Sequence, residues 1–345
     1  MKKYNVAVVG VGAVGCAMLR CLKQRNFPIN KLSVFARSPR DIKVDLDTYH
    51  VEAISSENFE DIDIALFAGT EGEKGASALY ARKFIEKGAV VVDNGSDFRL
   101  KEDVPLIIPE VNKDKISAHK GLIANPNCTT IQAVVALGGI YKNFGLEKVI
   151  LTSLQATSGA GKEAEVSLWE ETKEIVDKNK GVNYDQLDKR IDSGPIVFSH
   201  QIAFNVIPQI GSLQEENYTT EEWKVVREAH KIFGDSSIKI TATCVRVPVF
   251  TSHSEAIYFR TQKKVTLSSL EEILKATPGV KYSPNHFPLP LDTEGKDEVF
   301  VGRLRKDPYE ENSFWLWCVC DNLRKGAALN AVQIAEQLLP EKKKE

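Results

Sequence analysis

Cys128 is the residue of this chain best placed for nucleophilic chemistry. It follows an apolar run at residues 121–123 and precedes apolar residues that suit a buried helix. Pro126 disfavours helix just before the cysteine, so we expect Cys128 at a strand-to-helix turn. Free N–H groups and the positive end of the helix dipole stabilise a thiolate there, which predicts a reactive cysteine. A buried structural cysteine is the alternative interpretation.

Length and composition indicate an ordinary globular protein. The 345 residues favour two domains, 43% of them are apolar, and the net charge of -2 gives no reason to expect nucleic-acid or acidic-membrane binding. No apolar run approaches the roughly 20 residues that span a bilayer, and the N-terminus leads into a strand pattern rather than a signal peptide. The six cysteines match no zinc spacing and need no disulfide framework. We therefore expect a cytoplasmic protein with no metal site.

A glycine pattern near the N-terminus predicts dinucleotide binding. Apolar residues 6–9 run into Gly-x-Gly-x-x-Gly, and residues 16–22 have helical spacing. The glycines permit a tight turn and let a pyrophosphate approach the helix N-terminus. An ordinary tight strand–helix turn is the alternative. The predicted contact residues are Gly10, Val11, Gly12, Ala13, Val14 and Gly15.

The end of the second predicted strand, residues 32–36, indicates which cofactor binds. An NAD enzyme usually carries Asp or Glu there to hold the ribose 2′-hydroxyl. This chain has Arg37 and Ser38, with Arg40 close behind, and guanidinium and hydroxyl groups suit a 2′-phosphate. The alternative is a solvated basic loop, and the neighbouring Asp41 argues for it. The pattern favours NADP over NAD.

Alternating strands and helices in the first half predict a doubly wound parallel sheet. Strand patterns at residues 63–68 and 89–92 enclose a helical pattern at roughly 75–87. Ligands bind such sheets at the carboxyl ends of the strands. Four candidate residues fall at these ends: Gly69, Asn94, Arg99 and Cys128.

The second half has a different pattern, which predicts a separate α+β region. Residues 155–162 fail the P-loop spacing, which excludes an ATP site there. Glu221 and Lys224 share one face of a helix that opens at Thr219, although a weak surface ion pair is the alternative. We expect the last helix, which ends near Leu339, to return to the first sheet. Strands are predicted at residues 149–156, 202–208, 238–248, 299–305 and 313–320, and a helix at 165–178.

Six ordered stretches together resemble the aspartate-β-semialdehyde dehydrogenase family almost end to end. The resemblance implies an NADP-binding Rossmann domain at residues 1–127 with 322–345, and a central α+β domain for catalysis and dimerisation at 128–321. It also implies small-molecule substrates and a homodimer or homotetramer. The six stretches are residues 125–130, 155–161, 202–208, 221–224, 246–249 and 321–328.

The resemblance also implies a role for each matched residue. Cys128 is the implied nucleophile, and His253 is the implied acid/base, although a lone His is more often structural. The other implied roles are Asn127 near the acyl oxygen, Gln155 orienting the substrate, Arg246 on its α-carboxylate, Glu221 on its α-ammonium, and Arg99 and Lys224 on phosphate. Besides the glycine turn, the implied NADP residues are Arg37, Ser38, Gly69, Asn94, Gly159 and Asn322.

The implied reaction is reductive dephosphorylation of β-aspartyl phosphate to aspartate β-semialdehyde by NADPH, through a cysteine thioester. It serves the aspartate pathway to lysine, threonine, methionine and, in bacteria, diaminopimelate. N-acetyl-γ-glutamyl-phosphate reductase is one alternative, but its cysteine typically lies in Asn-Pro-Gly-Cys-Tyr. The amine of its substrate is acetylated and therefore has no use for a carboxylate such as Glu221. A non-catalytic nucleotide-binding paralogue is another, although such relatives tend to lose the cysteine.

Three segments depart from the family's common pattern. The family often has Gly-Ala-Thr-Gly at residues 10–13, where this chain has fewer hydroxyl groups near the pyrophosphate. It often has Asn-Ser-Ser-Ala-Phe-Arg at residues 94–99, and Gly-His where this chain has Ser252 and His253. None of these departures removes a reacting group.

Overall fold

Two β-sheets organise the residues described by this structure, a computed structural model that describes residues 2–69, 72–195 and 197–340. The strands of the first sheet are β1 (Tyr4–Val9), β2 (Ile29–Ala36), β3 (Arg40–Val44), β4 (Asp47–Ala53), β5 (Ile64–Phe67), β6 (Val90–Asp93) and β7 (Leu122–Ala124). Those of the second are β8 (Leu146–Gln155), β9 (Lys239–Arg246), β10 (His253–Thr261), β11 (Val280–Tyr282), β12 (Val299–Lys306) and β13 (Ser313–Cys320).

The helices of the described residues connect and cover these sheets. The helices predicted from the sequence are present, with ends that differ by a few residues. Their bounds are α1 (Ala13–Gln24), α2 (Ala76–Glu86), α3 (Pro109–Asn112), α4 (Cys128–Phe144), α5 (Lys162–Lys178), α6 (Thr220–Phe233), α7 (Leu267–Ala276), α8 (Pro290–Thr293) and α9 (Leu329–Gln337).

The first sheet has the strand order β3-β4-β2-β1-β5-β6-β7. Its strands pair in parallel except β3 and β4, which form an antiparallel hairpin at one edge. The predicted doubly wound parallel sheet is therefore confirmed. The hairpin was not predicted, because its polar strands carry no strong apolar alternation and its turn depends on Asp45, which adopts a left-handed φ of 56°.

Both faces of the first sheet are covered, as its apolar strands require. Along β1, Ala7 and Val9 pack into one apolar cluster with residues of α2, while Val6 and Val8 pack into another with residues of α1 and α9. This alternation follows from the two-residue period of a strand. The carboxyl ends of the parallel strands are left at one edge, beside the glycine turn and Cys128.

The second sheet has the order β11-β12-β13-β10-β8-β9, in which β8 and β9 pair in parallel and β10 pairs antiparallel with both β8 and β13. Its register matters for the site. Gln155 lies opposite Arg246, and His253 lies opposite Cys320. The ends of four strands, β8, β9, β10 and β13, thus meet at the edge of the sheet that faces Cys128.

The strand predicted at residues 202–208 is wrong. The segment forms a turn and a loop, and only Ile207 makes an isolated bridge, to Arg246. The buried carboxylate of Glu171 accepts the N–H groups of Ile202 and Ala203 at 2.7 and 2.9 Å. A side chain therefore satisfies the backbone donors that a strand would have paired, and the left-handed Phe204 interrupts the extended run.

The last helix returns to the first sheet, as predicted. Residues Arg324–Ala328 form one turn of π-helix that continues into α9, and α9 packs against α1. The buried ammonium of Lys325 lies 2.8 Å from both carboxylate oxygens of Glu110. None of the helices in the described ranges is long and apolar enough to cross a membrane.

Candidate active site

Cys128 is the first residue of α4, and three residues separate it from the end of β7 at Ala124. The predicted strand-to-helix position is therefore confirmed. Asn127 caps the helix, because its Oδ1 accepts the N–H groups of Thr129 and Thr130 at 3.0 and 3.3 Å. These two donors are occupied by the cap and are not directed at the cysteine sulfur.

The imidazole of His253 lies within hydrogen-bond distance of that sulfur. Its Nε2 lies 3.3 Å from Cys128 Sγ, and the backbone N–H of Ala156 donates to its Nδ1 at 3.0 Å. The imidazole is completely buried at the start of β10. The structure thus brings the two predicted reacting side chains into direct contact.

The helix N-terminus by itself predicts a lowered pKa for the Cys128 thiol, but the surroundings of the thiol act in the opposite direction. Burial, followed by the negative charge of Glu221, raises the pKa of Cys128 to about 11, although Arg246 and Arg99 act in the opposite direction. Burial, with help from the Arg246 guanidinium, holds the pKa of His253 well below its usual value. Both shifts favour the uncharged forms of the thiol and the imidazole. The helix N-terminus does not lower the pKa of the thiol again, because the side chain of Asn127 already accepts the nearest backbone N–H groups.

Gln155 and Arg246 reach the site from the adjacent ends of β8 and β9. The side-chain amide of Gln155 donates to Thr129 Oγ1 at 2.8 Å and to Ser153 Oγ at 3.2 Å. Arg246 is 5% exposed, and its Nη1 donates to the carbonyl of Ala156 at 2.5 Å. A guanidinium this buried is not an ordinary surface cation, because burying a charge requires a compensating partner.

Helix α6 presents charged side chains to the same site. It begins with a capping box between Thr219 and Glu222, which fixes its N-terminus. Glu221 is buried, accepts the Asn127 side-chain amide at 2.9 Å, and lies 3.4 Å from the Lys224 ammonium. The predicted common face of Glu221 and Lys224 is confirmed, and this face points inward rather than toward solvent.

Glu228, also on α6, belongs to this cluster but was not predicted as a site residue. One of its carboxylate oxygens lies 3.1 Å from Arg99 Nη1, and the other accepts the backbone N–H of Asn127 at 2.7 Å. The sequence spacing could have indicated it, because Glu228 stands seven residues after Glu221 and therefore lies on the same face of the helix. Arg99 also donates to the carbonyls of Asn125 and Asn94, at 2.9 and 2.7 Å. The acid thus orients a predicted phosphate-binding cation and the loop before the nucleophile.

A cavity of about 450 Å³ is lined by Cys128 and by most of these groups, although His253 and Glu228 are not among its lining residues. Gly159 needs to be glycine here, because a Cβ on it would come within 3.0 Å of both Arg246 Nη1 and His253 Cε1. Gly326 was not predicted as a site residue, but a Cβ on it would lie 3.0 Å from the Cβ of Cys128, so this position also needs glycine. The predicted residues that line the cavity are Gly12, Ala13, Val14, Asn94, Arg99, Asn127, Cys128, Gln155, Gly159, Glu221, Lys224, Arg246 and Asn322.

A second cavity, of about 650 Å³, lies at the carboxyl ends of β1 and β2 and shares Gly12 with the first. A Cβ on Gly12 would meet no atom within 4 Å, so this position faces open space. Gly10 and Gly15 serve packing instead, since a Cβ on Gly15 would lie 1.9 Å from the Gly10 carbonyl oxygen. The predicted residues that line this cavity are Gly10, Val11, Gly12, Arg37, Ser38 and Gly69, and Arg40 joins them.

This arrangement fits a dinucleotide. Helix α1 has no side-chain cap at its N-terminus, so its first N–H groups have no competing side-chain acceptor, and the open Gly12 position leads to them. The two cavities that meet at Gly12 give an extended ligand a continuous route from Arg37 and Ser38 to Cys128. In the described parts of the chain, no three His, Cys, Asp or Glu side chains are grouped as they would be around a metal ion.

Ser252 precedes His253 in a strained conformation. Its φ is 75°, a left-handed value that a residue with a Cβ adopts at a cost. Its N–H donates to Asn322 Oδ1 at 2.9 Å, while its buried hydroxyl has no hydrogen-bond partner among the described residues. Asn322 also hydrogen-bonds Ser158 Oγ. Glycine is the residue that such a left-handed position favours.

Comparison with known proteins gives consistent matches along almost the entire chain. The family model described as semialdehyde dehydrogenase, NAD binding domain, matches residues 5–119, and the one described as semialdehyde dehydrogenase, dimerisation domain, matches 137–325. Aspartate-semialdehyde dehydrogenase of Aquifex aeolicus is 44% identical over 98% of each chain, and that of Bacillus subtilis is 43% identical over 97% of each. The crystal structure of Vibrio cholerae aspartate semialdehyde dehydrogenase II complexed with ASA has a TM-score of 0.90 and 40% identity, and the match covers 98% of each chain.

Proposed function

Because this chain belongs to the aspartate-semialdehyde dehydrogenase family, we propose that it reduces β-aspartyl phosphate to aspartate β-semialdehyde with NADPH and releases phosphate. Membership makes it an oxidoreductase with a nucleotide-binding domain. One observation carries the proposal: a cysteine sulfur 3.3 Å from an imidazole lines a cavity that also holds a buried guanidinium and a buried carboxylate. In a cell this activity supplies the aspartate pathway to lysine, threonine, methionine and, in bacteria, diaminopimelate.

The charges of the site complement those of the substrate. Arg246 can bind the α-carboxylate through a bidentate guanidinium contact, and Glu221 can bind the α-ammonium. Arg99 and Lys224 face the departing phosphate, which carries nearly two negative charges. All four side chains line the cavity of Cys128, so one small amino-acid phosphate can contact them together.

Cys128 attacks the acyl carbon and forms a thioester as phosphate leaves. Asn127 and Gln155 are held by hydrogen bonds to Glu221 and Thr129, and they line the cavity of Cys128, where they can orient the acyl group. His253 stands where it can exchange a hydrogen with the sulfur and with later oxygen-centred intermediates. Bound NADPH would supply the hydride that converts the thioester to the aldehyde.

We propose NADP as the cofactor, held along the two cavities that meet at Gly12. Arg37 and Ser38, with Arg40 beside them, suit the 2′-phosphate. The glycine turn at residues 10–15 would hold the pyrophosphate at the uncapped N-terminus of α1. Gly69, Asn94, Gly159 and Asn322 complete the proposed cofactor contacts.

We propose two domains, residues 1–127 with 322–345 and residues 128–321, and a homodimer or homotetramer built through the second. One face of α5 exposes Val166, Trp169 and Val176 at 47%, 58% and 53%. Such an apolar stripe is typical of a surface that a partner covers, and it lies within the segment that matches the dimerisation model. The six free cysteines support a cytoplasmic location, which belongs to the same proposal.

The test is an assay of the reverse reaction with purified protein. With aspartate semialdehyde, phosphate and NADP, we expect phosphate-dependent formation of NADPH. N-acetylglutamate semialdehyde is the control substrate and should give little activity, because its acetylated amine cannot pair with Glu221. Equal rates with both substrates would refute the assigned substrate, and no reduction with either would indicate a non-catalytic nucleotide-binding protein.

A further inference from the structure

Lys325 carries a completely buried charge that the proposed mechanism does not use. It lies in the π-helical turn Arg324–Ala328, and its side chain is 0% exposed. Its ammonium is surrounded by four oxygen atoms, from Glu110 of α3 and from Asn330 and Gln333 of α9. The distances are 2.8 Å to both Glu110 oxygens, 2.9 Å to Asn330 Oδ1 and 2.7 Å to Gln333 Oε1. Every hydrogen of the ammonium therefore has an acceptor.

Stability alone does not account for this arrangement. A buried ion pair is often no more stabilising than apolar side chains of similar volume, because both charges must leave water. The residues that follow Lys325 include Ala328, Leu329 and Val332, which belong to the apolar cluster of the first sheet. Apolar side chains in place of the ion pair would suit that cluster. A charged pair instead holds its partners at fixed distances and directions, which favours a geometric role.

The ammonium fixes the orientation of the Asn330 side chain. An ammonium only donates, so the Asn330 oxygen faces it and the amide group is directed the other way. That amide donates to Asn125 Oδ1 at 2.7 Å and to the carbonyl of Ile107 at 3.0 Å. The amide of Asn125 in turn donates to the carbonyl of Ala327 at 3.1 Å and to Asn94 Oδ1 at 2.6 Å. This relay has one possible direction, because it starts at a group that only donates and reaches carbonyls that only accept.

The relay reaches the loop that carries the nucleophile. Asn125 is completely buried, stands three residues before Cys128, and accepts Arg99 Nε at its carbonyl at 2.9 Å. Arg99 is one of the proposed phosphate-binding residues. The position of this loop, and of the guanidinium bound to it, therefore depends on hydrogen bonds that begin at Lys325.

The π-helical turn also packs directly on the nucleophile. Gly326 follows Lys325, and a Cβ on it would lie 3.0 Å from the Cβ of Cys128. The turn begins two residues after Asn322, a proposed cofactor contact whose side chain hydrogen-bonds Ser158. Lys325 therefore anchors the backbone between the proposed cofactor contact and the nucleophile, although it does not itself line their cavity.

We propose that Lys325 is a positioning residue: together with Glu110 it sets the spacing between the Cys128 loop and the π-helical turn. This inference deepens the proposed function and rests on it. Thioester formation and hydride transfer both need that spacing, since reacting atoms must lie about 3–3.5 Å apart and a displacement of about 1 Å can slow a reaction about 100-fold. Lys325 contacts no ligand in this scheme, so its loss should lower kcat more than it raises KM.

The test compares Lys325→Met with the double variant Lys325→Met/Glu110→Met in the phosphate-dependent NADPH-forming assay. The single variant leaves a buried carboxylate without its partner and should unfold at a lower urea concentration. The double variant replaces the pair by apolar side chains and should recover most of that stability. We expect kcat to stay about 10–100-fold below wild type in both, with KM for aspartate semialdehyde and for NADP within about threefold. Recovery of kcat together with stability would overturn the inference, because the pair would then contribute stability alone.

A second pair of variants keeps the test decisive if the Lys325 variants fold poorly. Asn330→Asp still accepts from Lys325 but cannot donate to Asn125, so it interrupts the relay and retains the ion pair. We expect the same loss of kcat. Arg25→Leu is the control, because its ion pair with Glu336 also anchors α9 but makes no hydrogen bond to the relay among the described residues. Its kcat should stay within about twofold of wild type, and a loss equal to that of Asn330→Asp would refute the positioning role.

A crystal structure of the double variant separates a failure of this inference from a failure of the proposed function. We expect the Asn330 amide to rotate and the Cys128 loop to move relative to Gly326 by about 0.5 Å or more, the tolerance of a productive site. An unchanged loop and relay would overturn the inference whatever the activity. If the wild-type protein forms no NADPH from either semialdehyde, the proposed function fails, and the crystal structure still decides whether Lys325 positions the loop.

Discussion

Replacing Ser252 by glycine should make this protein more stable, although most substitutions of buried residues have the opposite effect. Two features of Ser252 are unfavourable in the folded state. Its φ of 75° places its Cβ against the backbone, and its buried hydroxyl has no partner among the described residues. Glycine removes both. Alanine removes only the hydroxyl, so the pair of variants separates the two contributions.

The expected magnitudes follow from these features. A left-handed conformation costs a residue with a Cβ about 1–2 kcal/mol, and an unpaired buried hydroxyl costs about 1–3 kcal/mol. In the glycine variant about 0.5–1 kcal/mol of this gain is lost, because glycine makes the unfolded chain more flexible. We therefore expect Ser252→Ala to raise the free energy of unfolding by about 1–2 kcal/mol. Ser252→Gly should raise it by roughly 0.5–1 kcal/mol more.

The measurement is urea unfolding followed by circular dichroism at one fixed protein concentration, because oligomer dissociation would otherwise change the midpoint. Ser254 offers a matched control, since it is also buried but lies within β10. Ser254→Gly should lower stability by about 0.5–1 kcal/mol, as glycine does in a strand interior. If Ser252→Gly is less stable than Ser252→Ala, the left-handed strain argument is incorrect.

Four further results are expected from the proposed site. Cys128→Ser should keep wild-type stability and lose nearly all turnover, because a hydroxyl is a far poorer nucleophile at neutral pH; a folded variant with more than a few per cent activity would contradict the mechanism. Arg246→Leu should lower kcat/KM for aspartate semialdehyde by an amount equivalent to about 2–5 kcal/mol of transition-state stabilisation. Arg246→Lys should restore only part of this loss, since an ammonium lacks the fork geometry of a guanidinium. Arg37→Ala should weaken NADP by about 1.5–3 kcal/mol and leave NAD unaffected in parallel titrations; equal losses would show that it does not read the 2′-phosphate. The free energy of unfolding should fall as the pH rises from about 9 to about 11. In the folded protein, burial raises the pKa of Cys21 and of Cys128 to about 11, so both thiols keep protons that the unfolded chain has released. A free energy of unfolding that stays constant over this pH range in urea titrations would exclude this.

Features set by short segments were predictable from the sequence. The turn before Cys128 depends on Pro126 and on the apolar runs that flank it. The glycine turn at residues 10–15 depends on close approaches within the turn and on a single neighbouring strand end. The alternation of strand and helix patterns then limited the first sheet to a parallel, doubly wound arrangement, which also placed the candidate residues at one edge.

Features set by distant segments were not predictable in the same way. The thiolate prediction considered the helix N-terminus alone, whereas the pKa of Cys128 also depends on burial and on Glu221 from α6. The segment at residues 202–208 has apolar strand composition, but Glu171 on α5 binds its backbone donors. Glu228 was overlooked because its two partners, Arg99 and Asn127, lie about 100 residues or more away in the chain.

The return of the last helix also constrains how the newly made chain folds on the ribosome. Asn330 donates to the side chain of Asn125 and to the carbonyl of Ile107, so α9 fills part of the core formed by the first strands. About 200 residues separate Asn125 from α9, which corresponds to roughly 10–40 s of synthesis at about 5–20 residues per second. During that interval the first sheet lacks its covering helix and exposes an apolar face, while the central segment can already pack. The nucleotide-binding half, although synthesised first, must therefore be completed last.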